Sequence, residues 1–138
     1  MQTKTILLVD DNAIQAAVRQ AVLKRNDYFV IAALNPTRVL EQLRKGDFMT
    51  VIDLVITDHI MPGMTGNAFV REIRSLRPQI PVLVISGLED AIQEYEGLNV
   101  EFRVKPLQPE RLLECVQGMI GVSEADVPTE PFIAPAPV

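Results

Sequence analysis

Tryptophan is absent, and cysteine and histidine occur once each, as Cys115 and His59. A single thiol cannot close an internal disulfide or build a multi-cysteine metal site, so nothing here requires an oxidising compartment. Positive charge is in short supply: 13 Lys and Arg stand against 18 Asp and Glu, a formal charge of −5. That is the wrong sign for a surface that neutralises phosphate backbones or anionic lipid, which argues against direct nucleic-acid or membrane binding. No apolar run approaches the roughly 18 residues that cross a bilayer. The start, Met1-Gln2-Thr3-Lys4, leads into a short strand-like run instead of a signal-peptide core. The expectation is a cytoplasmic location. The chain's 138 residues, 48% of them hydrophobic, suit one ordinary domain with a short tail.

What is present is an alternation. Ile6-Leu7-Leu8-Val9 is too short for a helix, is partly β-branched, and stops at Asp10 and Asp11. It predicts a buried strand with carboxylates at its C-terminal end. From Asn12, a capping residue, Ile14, Ala17, Val18, Ala21 and Val22 recur at helical spacing up to Asn26-Asp27, which predicts a helix with that face buried. A second strand follows over Tyr28 to Ala33. Asn35-Pro36 then opens a helix with Val39, Leu40 and Leu43 as its apolar stripe. The third strand, Leu54 to Thr57, ends at Asp58, and a third helix turns Phe69, Ile73 and Leu76 inward before Pro78. Val82 to Ile85 is the fourth strand, ending at Ser86. A weakly periodic acidic stretch, Leu88 to Gly97, predicts a fourth helix with Ile92 and Tyr95 inward. The fifth strand, Val100 to Val104, ends at Lys105, and Pro109 opens a last helix with Leu112, Leu113, Val116 and Ile120 on one face.

Five strand-then-helix units predict an α/β fold, a doubly wound five-stranded parallel sheet with helices on both faces. The expected domain spans residues 1–122. Residues 123–138 hold four of the ten prolines and no periodicity, and are expected to be a disordered tail or linker.

In an open α/β sheet the ligand site lies outside the carboxyl ends of the strands. Here those ends carry Asp10, Asp11, Asp58, Ser86 and Lys105. Carboxylates a few ångströms apart repel unless a cation sits among them, and an all-oxygen cluster suits a hard ion such as Mg²⁺. A lysine can neutralise a transferred phosphoryl group and a serine hydroxyl can bond one of its oxygens. The parts match phosphoryl transfer to a carboxylate nucleophile.

Leu8-Val9-Asp10-Asp11, Asp58-His59-Ile60-Met61-Pro62-Gly63-Met64-Thr65-Gly66, Ser86-Gly87 and Lys105-Pro106, in that order, resemble the receiver domains of two-component response regulators, including those attached to hybrid histidine kinases. The likeness runs from residue 5 to about 120. It implies a flavodoxin-like fold with strand order 2-1-3-4-5. It also implies a phosphorylation-dependent switch, not an enzyme beyond catalysing its own phosphorylation and dephosphorylation. By the resemblance Asp58 is the phosphoacceptor, Asp10 and Asp11 hold Mg²⁺ with Asp11 the more direct ligand, and Ile60 lends its backbone carbonyl. Ser86 and Lys105 bind phosphoryl oxygens, Pro106 follows a cis peptide, and Phe102 matches the aromatic switch position. The implied partners are a sensor histidine kinase or histidine phosphotransfer protein and a downstream protein target or linked output domain, with a phosphorylation-dependent homodimer as a further option.

The chain departs from the family pattern in three ways. The stretch between Ser86 and Lys105 is short, Asn99-Val100-Glu101 replaces the usual small residues, and Ile60 and Leu88 put apolar side chains at two variable positions that tune phosphoryl lifetime. Two other classes fit less well. A haloacid-dehalogenase-type hydrolase needs an acid two residues after its nucleophile, where Ala13 and Ile60 stand after Asp11 and Asp58. A flavodoxin-like flavin carrier needs a hydroxyl- and glycine-rich phosphate loop where Asp10 and Asp11 would repel the phosphate. His59 is expected to be an exposed loop residue, Met61 and Met64 to pack the loop, and Glu89, Asp90, Glu94 and Glu96 to form a solvated face.

Overall fold

A computed structural model of the chain describes residues 2–46, 48 and 50–125. Its elements follow the alternation: β1 (Thr5–Val9), α1 (Ala13–Arg25), β2 (Phe29–Ala33), α2 (Pro36–Lys45), β3 (Leu54–Asp58), α3 (Gly66–Leu76), β4 (Val82–Ser86), a 3-10 helix (Glu89–Tyr95), β5 (Glu101–Val104) and α4 (Pro109–Ile120). The strands form one sheet in the order β2-β1-β3-β4-β5, and every neighbouring pair is parallel.

The near-continuous apolar runs reflect a sheet covered on both sides. Successive residues of a strand point to opposite faces. Leu7, Val9, Val55, Val82 and Val84 therefore pack with Val39, Leu40, Phe69 and Ile73 from α2 and α3. Ile6, Leu8, Leu54, Ile56, Leu83 and Ile85 pack with Ala16, Leu23, Leu112 and Val116 from α1 and α4. Asn12 caps α1 by accepting from the Gln15 N–H, and Asn35 caps α2 by accepting from the Arg38 N–H, with Pro36 at its start.

Three local expectations fail. The buried residues of α1 are Ala16, Arg19, Val22 and Leu23, whereas Ile14 is 79% and Val18 54% exposed, and Ala17 and Ala21 also face solvent. The helix is rotated from the apolar-stripe orientation because Gln15 and Arg19 reach the acids at the ends of β1 and β3. The fourth α-helix is instead a seven-residue 3-10 helix. It buries Ala91 and Tyr95 and leaves Ile92 outside, because Tyr95 is anchored inward by a hydrogen bond to His59 and by packing on Phe102. Finally, two residues read as tail are tied to the body. Ser123 Oγ accepts from the Lys4 N–H and donates to the Asp27 carbonyl, both at 2.7 Å, and the Glu124 N–H donates to the Gln2 carbonyl at 3.2 Å. The rest of the expected tail, from residue 126, lies outside the described residues. Among the described residues no helix is long and apolar enough to cross a membrane.

Candidate functional site

The carboxyl ends of β1, β3, β4 and β5 converge on one rim. The parallel register brings Val9 beside Thr57, so Asp10, next after Val9, and Asp58, the last residue of β3, share the centre. Both are buried, at 0% and 2% exposure, while Asp11 is exposed. One carboxylate oxygen from each of Asp10, Asp11 and Asp58 lies within 4.8 Å of the others. Three hard anionic donors at that spacing fit a divalent cation such as Mg²⁺. Ile60 follows in the next loop, with its side chain 65% exposed beside the rim.

Fixed positive charge meets the same acids. Lys105 Nζ stands 3.1 Å from Asp58 Oδ1; the residue directly follows β5, and the Lys105–Pro106 bond after it is cis. Arg19 Nη1 is 3.2 Å from Asp10 Oδ2 and 3.3 Å from Asp58 Oδ1. Gln15 Nε2 donates to Asp10 Oδ2 at 2.8 Å and to Asp58 Oδ2 at 3.0 Å. The remaining Asp10 oxygen accepts from the Asn12 N–H at 2.9 Å.

Burial pushes the Asp58 carboxyl up to about 6, helped by hydrogen bonding with Asp10. The Arg19 charge pulls it down, the Asp10 charge raises it, and hydrogen bonding with Lys105 lowers it. Asp58 is thus a carboxylate at neutral pH but holds its proton more firmly than an ordinary aspartate.

Ser86 is buried at the end of β4. Its Oγ accepts from the Leu88 N–H at 2.9 Å and faces the Leu88 carbonyl at 3.3 Å, so it is engaged by its own loop. Phe102 is half-buried, with its ring centroid 5.8 Å from that of Tyr95. His59 is not the exposed loop residue expected: it is 5% exposed, and its Nδ1 lies 2.6 Å from the Tyr95 hydroxyl. The cause is the backbone, since the His59 N–H donates to the Ile85 carbonyl and carries the β3–β4 pairing one residue past Asp58. Gly66 lets the loop close over this pair. A Cβ there would stand 2.5 Å from Tyr95 Oη, 2.6 Å from the Asp58 carbonyl oxygen and 2.8 Å from His59 Cα. Met61 is buried and Met64 packs against the same core, as expected of loop packing.

Residues 6–117 match the family model of the response regulator receiver domain. The chain belongs to that family. It is 34% identical over 119 residues to the transcriptional regulatory protein ZraR of Salmonella typhimurium, covering 84% of this chain and 26% of the relative. The receiver thus spans about a quarter of the length of that curated relative. Among solved structures it is similar to the chemotaxis protein CheY4 of Vibrio cholerae, with 28% identity, a TM-score of 0.74, and coverage of 85% of this chain and 98% of that one. A receiver domain from Clostridium thermocellum gives 26% identity, a TM-score of 0.75, and coverage of 85% and 94%. The parallel sheet and its strand order are those of this family, and the acid cluster suits a phosphoacceptor switch.

Of the residues singled out from sequence, Asp10, Asp11, Asp58 and Lys105 are brought together, while Ser86, at the end of β4, is held by Leu88 and Phe102, in β5, stands against Tyr95. Gln15, Arg19 and the His59–Tyr95 tie were missed. A signal existed for the first two: Asn12, Gln15 and Arg19 recur at three- and four-residue spacing and mark a polar stripe on α1 directly after the acid pair.

Proposed function

We propose that the receiver accepts a phosphoryl group on Asp58 from a phosphohistidine donor, a sensor histidine kinase or a histidine phosphotransfer protein, and so acts as a switch in a two-component phosphorelay. The observation that carries this reading is the Asp58 carboxylate itself: buried, 3.1 Å from Lys105, and within 4.8 Å of two further aspartates. An Asp58 oxygen attacks phosphorus, the P–N bond of the donor breaks, and its electron pair leaves with the imidazole. Lys105 offsets the charge that gathers on the phosphoryl oxygens. Ser86, on leaving the Leu88 backbone, bonds another of them. Asp11, Asp58 and the Ile60 carbonyl, with Asp10 in support, would hold Mg²⁺. The ion supplies the positive charge that lets a dianionic group enter an acidic site.

The exposed Ile14 and Val18 of α1 flank the rim and give a donor protein an apolar surface to rest on. Phosphorylation adds about −1.5 to −2 charge by the usual behaviour of phosphoryl groups. Drawing Ser86 inward opens space beside Phe102, whose ring then changes the face formed by the 3-10 helix, β5 and α4, where a downstream target or a second copy binds. The body from β1 through the tied Ser123 and Glu124 acts as the switching unit, in the cytoplasm.

The test is incubation of the purified chain with acetyl phosphate or a phosphohistidine protein, with Mg²⁺ and with excess chelator, followed by intact mass. One added phosphoryl group, lost in chelator and in Asp58→Asn, is expected. Equal modification of Asp58→Asn would overturn the assignment.

A further inference from the structure

The acid cluster contains a cation that its phosphoacceptor chemistry does not account for. Arg19 enters from α1 with its side chain 10% exposed, and a single nitrogen bridges the carboxylates of Asp10, just past β1, and Asp58, at the end of β3, at 3.2 and 3.3 Å. Gln15, one turn earlier, bridges the same two acids through its amide nitrogen. The position belongs to the buried face of α1, beside Ala16, Val22 and Leu23, where an apolar side chain would satisfy packing alone. Burying a guanidinium carries a large desolvation cost, and a buried ion pair rarely stabilises a fold more than well-packed apolar groups would. Retention of the charge is explained if the acids must remain ionised and close together in the absence of metal.

We propose that Arg19 is a resident counter-ion of the phosphoacceptor site, holding Asp10 and Asp58 as a paired unit before a divalent cation arrives and weakening the site's demand for one. This rests on the phosphoacceptor reading of Asp58. Three carboxylates with Lys105 alone leave two negative charges at the rim, and Arg19 reduces them to one. The two cations also differ in freedom. Lys105 has a side chain one-third exposed on a loop and can follow an incoming phosphoryl group, whereas Arg19 is held from within on the same Asp58 oxygen. When Lys105 turns to the phosphoryl oxygens, Arg19 keeps the acceptor carboxylate from standing unpaired.

The test uses the unphosphorylated full chain and no phosphodonor, so it reads the counter-ion role separately from phosphoacceptance. Mg²⁺ affinity is measured by titration calorimetry, and thermal unfolding is followed in chelator and in saturating Mg²⁺. Arg19→Gln should bind Mg²⁺ roughly tenfold more tightly, the order of the repulsion a nearby unit charge exerts on a divalent ion even at the dielectric of water. It should melt lower than the parent in chelator and recover most of the difference in Mg²⁺. Arg19→Lys, which keeps the charge, should stay within about threefold of the parent affinity. Equal or weaker binding by Arg19→Gln, or an Arg19→Lys variant as far from the parent as Arg19→Gln, would overturn the proposal. Should Arg19→Gln fail to fold, the parent decides: its Arg19 guanidinium protons should exchange slowly with water in both the metal-free and Mg²⁺-saturated protein, and fast exchange in either contradicts a resident ion. If these results hold and Asp58 takes up no phosphoryl group, the counter-ion stands and the phosphoacceptor reading falls.

Discussion

Asp58→Asn should stabilise the metal-free receiver at neutral pH, although it removes the partner of two cations. Burial and the neighbouring Asp10 push the Asp58 carboxyl from 3.8 to about 6, against the opposing pull of Arg19 and Lys105. A carboxyl whose pKa is higher in the folded state binds its proton more tightly there. Its contribution to stability is therefore fully present below about pH 4 and is lost as pH rises through 6. The gap between the two values corresponds to about 3 kcal/mol. Asparagine carries no titrating proton and lacks this slope. In chelator the parent and Asp58→Asn should have similar stability near pH 4, diverge through pH 5 and 6, and differ by up to about 3 kcal/mol above pH 7 in favour of the variant. For a domain of this size that is on the order of 10 °C in Tm. Denaturant titrations at several pH values provide the assay, and saturating Mg²⁺ should close the gap by offsetting the carboxylate charge. Parallel pH curves for the two proteins, or an Asp58→Asn variant less stable than the parent at pH 7.5 in chelator, would refute the electrostatic reasoning.

Gly66→Ala should cost about 3 kcal/mol, the upper end for forcing a methyl group into a filled site, because two of the three atoms its Cβ meets are backbone of Asp58 and His59; a loss below about 0.5 kcal/mol in urea denaturation would contradict that contact. Tyr95→Phe should cost about 1–3 kcal/mol, the usual penalty for a buried polar group left without its partner, since the Tyr95 hydroxyl bonds the buried His59 Nδ1 at 2.6 Å; stability equal to the parent's would show that water takes its place. Phe102→Ala should leave uptake of a phosphoryl group by Asp58 nearly intact and alter phosphorylation-dependent association, followed by analytical ultracentrifugation or target binding; unchanged association would remove Phe102 from the switch.

The rim of the site was legible because its chemistry interrupts apolar strands. Asp10, Asp58 and Ser86 each end a run of buried residues, and a parallel sheet collects such ends on one edge. The orientation of α1 was not legible for the converse reason. Hydrophobic periodicity assigns Ile14 and Val18 to the core, but the helix instead turns Gln15 and Arg19 toward the acids, a pairing that only the assembled β1 and β3 reveal. His59 follows the same logic: a polar residue after a strand reads as solvent-facing until Tyr95, 36 residues later, supplies its buried hydrogen-bond partner. The acidic stretch before β5 was placed correctly as solvated, yet Ile92 lies outside because Tyr95 determines which side of that short helix faces the sheet. Long-range polar ties, more than apolar packing, separate the structure from its sequence expectation.

The most direct test of Asp58 as the acceptor is chemical trapping. After treatment with acetyl phosphate and Mg²⁺, reduction with sodium borohydride converts an aspartyl phosphate to homoserine, and peptide sequencing by mass spectrometry locates it. The expected result is homoserine at position 58 alone, absent without the phosphodonor and absent in chelator. Homoserine at Asp10 or Asp11, or an unmodified position 58 in a chain that has gained a phosphoryl group, would contradict it.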